Sequence, residues 1–181
     1  DGAIYLWEHY GADSHYLAQY QAGYATLNLT GSTLAVPNSD VSQVGGGSLI
    51  AKRYIPVGQG FFVESDGTAN GKVVFKNSQR IFEKESVGNS QFFKNGQSSA
   101  VPDNDESEDI KRIHFYFSQK NGAFRDLLLG VREGLTLGVE NGYDALTYGS
   151  SSSDMNWKLN DKDFVIQGIG NLYDDLELPL N

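Results

Sequence analysis

The chain has 181 residues, with 14 Lys+Arg and 23 Asp+Glu, and a formal net charge of −9. This length fits one domain with a core of its own. The acidic balance argues against nucleic acid as a partner, because binding to phosphates needs a basic patch. The chain has no run of about 18 apolar residues, so no membrane insertion is expected. It contains no Cys, which excludes disulfides, thiolate catalysis and Cys-ligated zinc.

The first half of the chain favours strands. Gly together with Asn, Asp and Ser supplies turns. The many aromatic residues suit pleated, half-buried surfaces. Residues 4–9 and 24–29 alternate as strands do. A long loop rich in Gly, Ser and Asn follows at 31–54, with one short strand expected inside it. Residues 61–64 and 72–76 flank a turn-rich segment, which predicts a hairpin.

The second half repeats this pattern more clearly. Residues 112–117 alternate, and 124–132 are apolar on both faces, as in a central strand. Residues 157–159 and 164–167 predict a last hairpin. The inner face of the 112–117 strand is expected to hold Ile113, Phe115 and Phe117. The predicted core rings are Phe75, Phe115, Phe117 and Phe164.

About eight strands separated by Gly, Asn and Asp turns predict an all-β fold, an antiparallel β-sandwich of the jelly-roll kind in a single domain, 1–181. Because no segment keeps helical apolar spacing over three turns, helix is expected only in short pieces, near 13–21 and 78–84. The first residue is Asp1, with no leader after it. We therefore expect a mature or excised piece of a longer chain, with any export signal upstream.

The densest charge cluster is acidic, and it lies just before the 112–117 strand. Asp103, Asp105 and Asp109 are separated by two and four residues, so they fall on alternating positions of the stretch. A calcium loop presents its oxygen ligands at alternating positions. The stretch lacks the Gly and Glu that an EF-hand needs at its sixth and twelfth positions. Two interpretations stay open: a solvated acidic loop, or a calcium site formed by these three residues.

Signals for catalysis are weak throughout the chain. The three His residues, His9, His15 and His114, have no zinc-ligand spacing. No G-x-S-x-G motif, phosphate loop or dinucleotide fingerprint is present. A glycan-cleaving enzyme stays open as one alternative, since its two carboxylates, about 5–10 Å apart, leave no spacing in sequence. We predict a protein without catalytic residues.

Tyr and Trp crowd the first 24 positions of the chain. Such rings offer a flat apolar face with a polar edge, which suits the C–H face of a sugar ring. These rings either fill the core and ends of the sandwich or form a glycan-binding surface. The candidate ligand-binding rings are Trp7, Tyr10, Tyr16, Tyr20 and Trp157, and the candidate polar partners are His9, Arg112 and Tyr116.

The chain also contains long motifs in a definite order. In chain order they are IYLWEHY (4–10), HYLAQYQAGYATLNLTG (15–31), YIPVGQGFFV (54–63), FKNSQRIFEKE (75–85), AFRDLLLGV (123–131), NGYDA (141–145) and DFVIQGIGNLYDDLELPL (163–180). Together they resemble a family of non-catalytic domains from large secreted, multidomain proteins of the Bacteroidota. Members of that family lie upstream of a C-terminal type IX secretion sorting domain. The resemblance covers nearly the whole chain.

The resemblance implies an accessory module of a secreted or cell-surface protein, which binds polysaccharide or another surface ligand and contacts adjacent domains of its parent. In such a parent it would tether an enzyme or adhesin domain to a glycan. The alternative is a structural spacer or docking domain for the sorting domain, with no ligand of its own. Family members often carry a preceding Asn-Pro-Tyr-Pro segment and continue beyond Leu-Pro-Leu, whereas this sequence ends at Asn181. We therefore expect a trimmed unit with an edge strand missing.

Two motif residues have a physical interpretation of their own. Gln59, between two Gly residues, is placed to hydrogen-bond exposed backbone. Asp144 follows an Asn-Gly turn and is placed to cap it or to bind an ion. Turns and corners of a sandwich are the structural interpretation of both motifs.

Overall fold

A computed structural model of the chain describes residues 2–65, 71–84, 88–93, 109–120, 122–149 and 151–181. These residues form eight β-strands and one 3₁₀ helix, Asn77–Gln79, and they include no α-helix. None of the described segments is a helix long and apolar enough to cross a membrane. The all-β, sandwich-like fold predicted from the sequence is confirmed.

The first sheet has three antiparallel strands from the N-terminal part of the chain. They are β1 (Ile4–Gly11), β2 (Gln21–Leu27) and β3 (Ser32–Pro37), in the order β1-β2-β3. Alternating side chains in β1 are buried on both faces near its start, where Tyr5 and Leu6 are 0% and 1% exposed. This strand is therefore covered on both sides there rather than half-solvated.

The second sheet contains the remaining strands, in the order β4-β5-β8-β6 with β7 paired to β8. Their bounds are β4 (Lys111–Ser118), β5 (Phe124–Val131), β6 (Ala145–Leu146), β7 (Trp157–Leu159) and β8 (Lys162–Ile169). The predicted strands at 112–117 and 124–132 and the last hairpin are confirmed. In that hairpin Asn160 and Asp161 have φ of 48° and 60°, as a tight two-residue turn requires.

One feature of the second sheet departs from a jelly roll. β5 and β8 pair in parallel, from Leu128↔Ile166 to Val131↔Ile169. A parallel pair needs a crossover of a dozen or more residues, and the chain between β5 and β8 is long enough to supply it. The antiparallel pairing expected of the sandwich holds for the other strand pairs, and this one parallel pair makes the second sheet mixed.

The core lies mainly on β5, β7 and β8 of the second sheet. Leu127, Leu128 and Leu129 are at most 2% exposed, so the apolar run in β5 is buried on both faces, as predicted. Trp157 and Phe164 join the same buried cluster, and Tyr5 extends it to the first sheet.

Three of the four predicted core rings lie elsewhere. Phe164 is 1% exposed, but Phe75 is 74% exposed, Phe115 is 38% exposed and Phe117 is half-buried. β4 is the edge strand of its sheet, so fewer elements cover its side chains. Ile113, on the same expected inner face, is 36% exposed.

The predicted hairpin of residues 61–64 and 72–76 is wrong. Phe62 instead forms an isolated antiparallel bridge with Tyr5, with N···O distances of 2.9 and 2.8 Å. The bond to β1 satisfies the backbone of Phe62, and 72–76 contains no strand. Within the described part of the chain, short helix is found at Asn77–Gln79, while the expected piece at 13–21 is a turn followed by the start of β2.

The Gly-rich loop after β3 packs closely against β1. Glu8, 4% exposed, accepts hydrogen bonds from Ser48 N at 3.0 Å and from Leu49 N. A Cβ on Gly47 would lie 2.1 Å from Oε2 of Glu8, so only glycine permits this approach. Burial, opposed by these two backbone bonds, raises the pKa of Glu8. Part of the 31–54 segment, which was expected to be a surface loop, therefore packs against the first sheet.

A row of aromatic side chains as the candidate functional site

The candidate site is a set of rings that contact one another on the first sheet. We call it the aromatic row, and its members are His9, Tyr20, Trp7, Tyr24, Tyr148 and Phe62. Strand geometry explains why Trp7 and His9 both belong to the row, because side chains two residues apart in β1 share one face. The register of β1 and β2 places Tyr24 directly opposite Trp7.

The end of the row nearest to Tyr16 contains three nearly parallel rings. The plane of Tyr20 lies 17° from His9 at 4.3 Å between centroids, and 13° from Trp7 at 6.4 Å. All three side chains are half-buried. A turn holds Tyr20 in place, since its N–H donates to the Tyr16 carbonyl at 3.0 Å. Rings fixed in this way lose little entropy when a ligand stacks on them.

The other end of the row is anchored in the core. Tyr24 packs edge-on against Tyr148 at 4.8 Å and against Phe62 at 5.6 Å. Tyr148 in turn stacks on the buried Tyr5 at 4.3 Å, whose hydroxyl donates to the Leu146 carbonyl at 3.4 Å. Phe62 is 48% exposed. The row therefore extends from the buried cluster to the surface.

The hydroxyl group of Tyr24 stays protonated at neutral pH, because its pKa is raised. Burial, then Tyr148 and Asp40, raise the pKa of Tyr24. Burial, then Glu64 and Tyr148, raise the pKa of Tyr5 beneath it. A protonated phenol both donates and accepts hydrogen bonds, so Tyr24 can serve a sugar hydroxyl in either role.

Three of the predicted ligand-binding residues, Trp7, His9 and Tyr20, belong to the row. Tyr16 lies beside it in the preceding turn and is 77% exposed. Tyr10 lies outside the row, because alternation points it to the other face of β1. Its hydroxyl donates to the Ala22 carbonyl at 3.1 Å, and burial followed by Glu8 raises its pKa.

The remaining predicted ligand residues belong to the second sheet. Trp157 is 2% exposed and packs edge-on against Phe115 at 5.3 Å. The prediction that Trp157 contacts a ligand is wrong, because its ring is covered. Nε of Arg112 donates to the Thr30 carbonyl at 2.6 Å, which ties β4 to the turn after β2. Tyr116 is 61% exposed and lies beside His114 on β4, the edge strand of the second sheet.

The proposed calcium ligands are only partly covered by the structure. Asp103 and Asp105 lie outside the described residues, and Asp109 is exposed. Among the residues that are described, no three His, Asp or Glu side chains are grouped as a metal site would need. The calcium site stays a prediction.

Sequence reasoning missed a contact between His114 and Asp126, which lies beside Tyr116. Nδ1 of His114 lies 2.8 Å from Oδ1 of Asp126, and Oδ2 of Asp126 accepts the Leu34 N–H at 2.9 Å. Asp126 is 1% exposed, and its bond to β3 links the two sheets. The signal was available, since a carboxylate inside an apolar strand must find partners.

The two motif residues hold turns, as expected. Gln59 donates to the Gly60 carbonyl at 2.7 Å and accepts from Phe93 N at 2.9 Å. Asp144 accepts the Gly168 N–H at 2.6 Å and also the Glu140 N–H. Burial is the main cause that raises the pKa of Asp144.

Comparison with known proteins assigns a family but no activity. Residues 1–178 match a family described as a domain of unknown function (DUF8693). No curated protein matches the chain, and no solved structure matches it.

Proposed function

We propose that this chain, which belongs to the DUF8693 family, is a non-catalytic accessory module that binds polysaccharide through the aromatic row. The observation that carries this proposal is the cluster of Trp7, Tyr20 and His9, which stack on one another with interplanar angles of 13° and 17° and are only half-buried, so the rings hold one another in place and keep part of their surface exposed. The apolar face of a sugar unit can pack against the part of these rings that stays exposed. His9 and the phenol groups then supply hydrogen bonds to hydroxyls.

The proposal places the chain in a secreted or cell-surface, multidomain protein. The module would hold an attached enzyme or adhesin domain near its glycan, so its effect would come from raised local concentration. The net charge of −9 disfavours a nucleic-acid partner. Calcium binding by Asp103, Asp105 and Asp109 is a separate part of the proposal, which a comparison of melting temperature in calcium and in chelator tests.

Affinity electrophoresis tests the role of the aromatic row. The protein is run in native gels cast with algal and plant polysaccharides, and the retarded fraction gives the dissociation constant. Tyr20→Ala is expected to weaken binding by at least about tenfold, because a central aromatic anchor is removed. Tyr173→Ala is the matched control, since Tyr173 is 51% exposed and lies outside the row.

The outcome separates a ligand site from a structural cluster. Retardation that is lost in Tyr20→Ala and kept in Tyr173→Ala supports the proposal, provided that both variants melt close to wild type. Equal retardation of wild type and Tyr20→Ala would mean that the row is not the binding surface. Failure of every polysaccharide in the panel would overturn the proposal.

A second candidate function is a spacer or docking domain for a neighbouring type IX sorting domain. Large apolar side chains on the surface favour it, because exposed apolar groups of this density mark contact surfaces. They include Val57 (91% exposed), Phe82 (86%), Val74 (60%) and Ile81 (55%). Analytical ultracentrifugation of the chain mixed with a sorting domain tests this candidate, and a complex that Phe82→Ser weakens supports it.

A further inference from the structure

We propose that β4 is the interface through which two copies of this chain pair, edge to edge and antiparallel, into a dimer. β4 (Lys111–Ser118) is the edge strand of the second sheet and pairs with β5. All eight of its residue pairs keep one register without a bulge. An edge of this length and regularity is a template for a further strand. The dimer goes beyond the proposed function and does not depend on it.

The other sheet edges among the described residues are covered or short. On β1, Tyr5 exchanges two backbone hydrogen bonds with Phe62. On β3, the Ala35 carbonyl accepts from Gly47 N at 2.8 Å. β6 has only two residues, and β7 is bonded by the C-terminal segment. Within the described ranges, β4 receives no backbone hydrogen bond from any segment except β5.

Alternation along the strand shows which backbone groups of β4 point outward. At the end of its hairpin, Gln119 N donates to the Ala123 carbonyl at 2.8 Å, so the backbone of Gln119 faces β5. Successive residues of an antiparallel strand bond to alternate sides. Every second residue before Gln119 therefore turns its N–H and C=O away from β5. These outward residues are Arg112, His114, Tyr116 and Ser118.

One symmetric register pairs all four outward residues. A two-fold axis at Phe115 places Arg112 opposite Ser118 of the second copy, and His114 opposite Tyr116 of the second copy. Phe115 then lies opposite its own counterpart. A second copy of the chain is therefore complementary to this edge over the whole length of the strand.

The side chains on the other positions of β4 fit the same register. Ile113 and Phe115 are 36% and 38% exposed, and Phe117 is half-buried. In the dimer Ile113 lies opposite Phe117, so cross-strand apolar pairs cover surface that a single copy leaves exposed. Phe115 already packs edge-on against Trp157 at 5.3 Å, so its ring loses little freedom on pairing.

The charges of β4 also favour antiparallel self-pairing. Its two cations, Lys111 and Arg112, are the first two residues of the strand, so the pairing puts them at opposite ends of the interface. The two copies of Arg112 then lie about 20 Å apart, well beyond the screening length of about 8 Å. Each copy carries a net charge of −9. Salt that screens this general repulsion should therefore strengthen the dimer.

The size of the interface predicts a weak dimer. One strand from each copy buries less than the roughly 1,200 Å² of a stable interface. Monomer and dimer should therefore exchange, with the dimer forming at micromolar or higher concentration. A dimer would carry two aromatic rows, which raises the avidity for any repeating ligand.

Sedimentation velocity over about a hundredfold range of concentration tests the dimer. Wild type should shift from monomer to dimer. Phe115→Glu and Phe115→Lys each put like charges opposite one another at the two-fold axis, and each should weaken dimerisation at least about tenfold. An equimolar mixture of these two variants should dimerise again, because the charges are then opposite. Tyr173→Glu is the control, since Tyr173 is 51% exposed and lies outside β4.

A second pair of variants avoids the contact with Trp157. Ser118 is exposed and faces Arg112 of the second copy, so Ser118→Glu should tighten the dimer about two- to fivefold and Ser118→Lys should weaken it. Amide hydrogen exchange locates the interface independently. The outward N–H groups of His114 and Tyr116 should exchange more slowly as concentration rises, whereas the N–H of Phe115, which bonds to β5, should not change.

Other outcomes overturn the dimer in distinguishable ways. Wild type that stays monomeric up to about 1 mM refutes it. A dimer that is equally stable in Phe115→Glu and in Ser118→Lys uses another surface. Failure of the mixed Phe115 variants to dimerise, although both fold, refutes the two-fold register. Outward amides that become protected only when a neighbouring domain is added assign the edge to a different chain.

Discussion

The two tryptophans of the chain lie in strands with similar alternation but in different surroundings. Trp7, on the first sheet, is half-buried and contacts Tyr20 and Tyr24 in the aromatic row. Trp157, on β7, is 2% exposed. The C-terminal segment pairs alongside β7, where Lys158 N donates to the Pro179 carbonyl at 2.9 Å. The ring of Trp157 also lies in the buried cluster and packs against Phe115. The comparison teaches that the exposure of a strand side chain depends on which side chains from other strands pack against it.

The largest expected loss of stability follows from replacing the buried tryptophan, Trp157. Trp157→Ala should lower the free energy of unfolding by about 3–5 kcal/mol, because it leaves a cavity in the main core. Trp7→Ala should cost about 1–2 kcal/mol, since its ring is already partly hydrated. Urea denaturation of both variants measures the difference. Equal losses would mean that the two rings are buried alike.

Trp157→Phe sharpens the same comparison and serves as the control for Trp157→Ala. Among the described residues, Nε1 of Trp157 is buried without a hydrogen-bond partner. An unpaired buried donor is costly, so its removal should offset much of the lost ring volume. We expect Trp157→Phe to change the free energy of unfolding by less than about 1.5 kcal/mol.

The next largest loss of stability is expected at Asp126, whose hydrogen bond to Leu34 N links the two sheets. Asp126→Ala removes the acceptor of both the His114 ring and the Leu34 N–H. It should cost about 1–3 kcal/mol, mainly for the part-buried Leu34 N–H left unpaired, because water can solvate the exposed His114 ring. Asp126→Asn should recover most of this loss, because its amide oxygen can accept from Leu34 and its amide nitrogen can donate to His114. Thermal denaturation distinguishes the variants. An equal loss in both would show that the charge, rather than hydrogen bonding, stabilises the link.

A smaller effect, dependent on pH, is expected beneath the row at Glu8. Burial raises its pKa in the folded state above the unfolded value, so the folded state binds more protons between those two values. Its stabilising contribution is complete below the unfolded pKa and falls as pH rises through the folded pKa. Relative to Glu8→Gln, wild type should therefore lose stability as pH increases from 4 to 7. Parallel curves of unfolding free energy against pH for the two proteins would contradict this.

The smallest effect is expected at Phe82, a ring on the protein surface. Phe82 is 86% exposed, so Phe82→Ser should change the free energy of unfolding by no more than about 0.5 kcal/mol. Urea denaturation beside Phe164→Ala, where the ring is 1% exposed, completes the comparison. A loss above about 2 kcal/mol in Phe82→Ser would mean that this ring is packed in solution.

The local sequence pattern correctly predicted the strands and turns whose formation depends on residues close together in the chain. The Leu-rich β5 and the turn at Asn160 and Asp161 were predicted correctly, since apolar runs and left-handed turn residues act over a few positions. The hairpin assigned to 61–64 and 72–76 failed, because Phe62 bonds to Tyr5 of a distant strand. The parallel pairing of β5 with β8 also depends on a long crossover, which no short pattern reveals.

Some residues of the candidate site could likewise be predicted from local pattern, whereas others come from remote segments of the chain. Alternation was enough to place Trp7 and His9 on one face of a strand, and crowding of Tyr near the N-terminus indicated Tyr20. The contributions of Tyr148 and Phe62 came from segments that are remote in sequence. The assignment of Trp157 to a surface failed because its ring belongs to the buried cluster and packs against Phe115 of β4.

The amino-acid sequence by itself determined the β-rich class, the strand periods and the charge balance, since each follows from local sterics or from composition. Only the tertiary structure decided which rings meet, which are covered and which carboxylates are buried. The physical reason is that burial depends on contacts between segments far apart in the chain. Those contacts form when the sheets pack, and they leave no fixed spacing in the sequence.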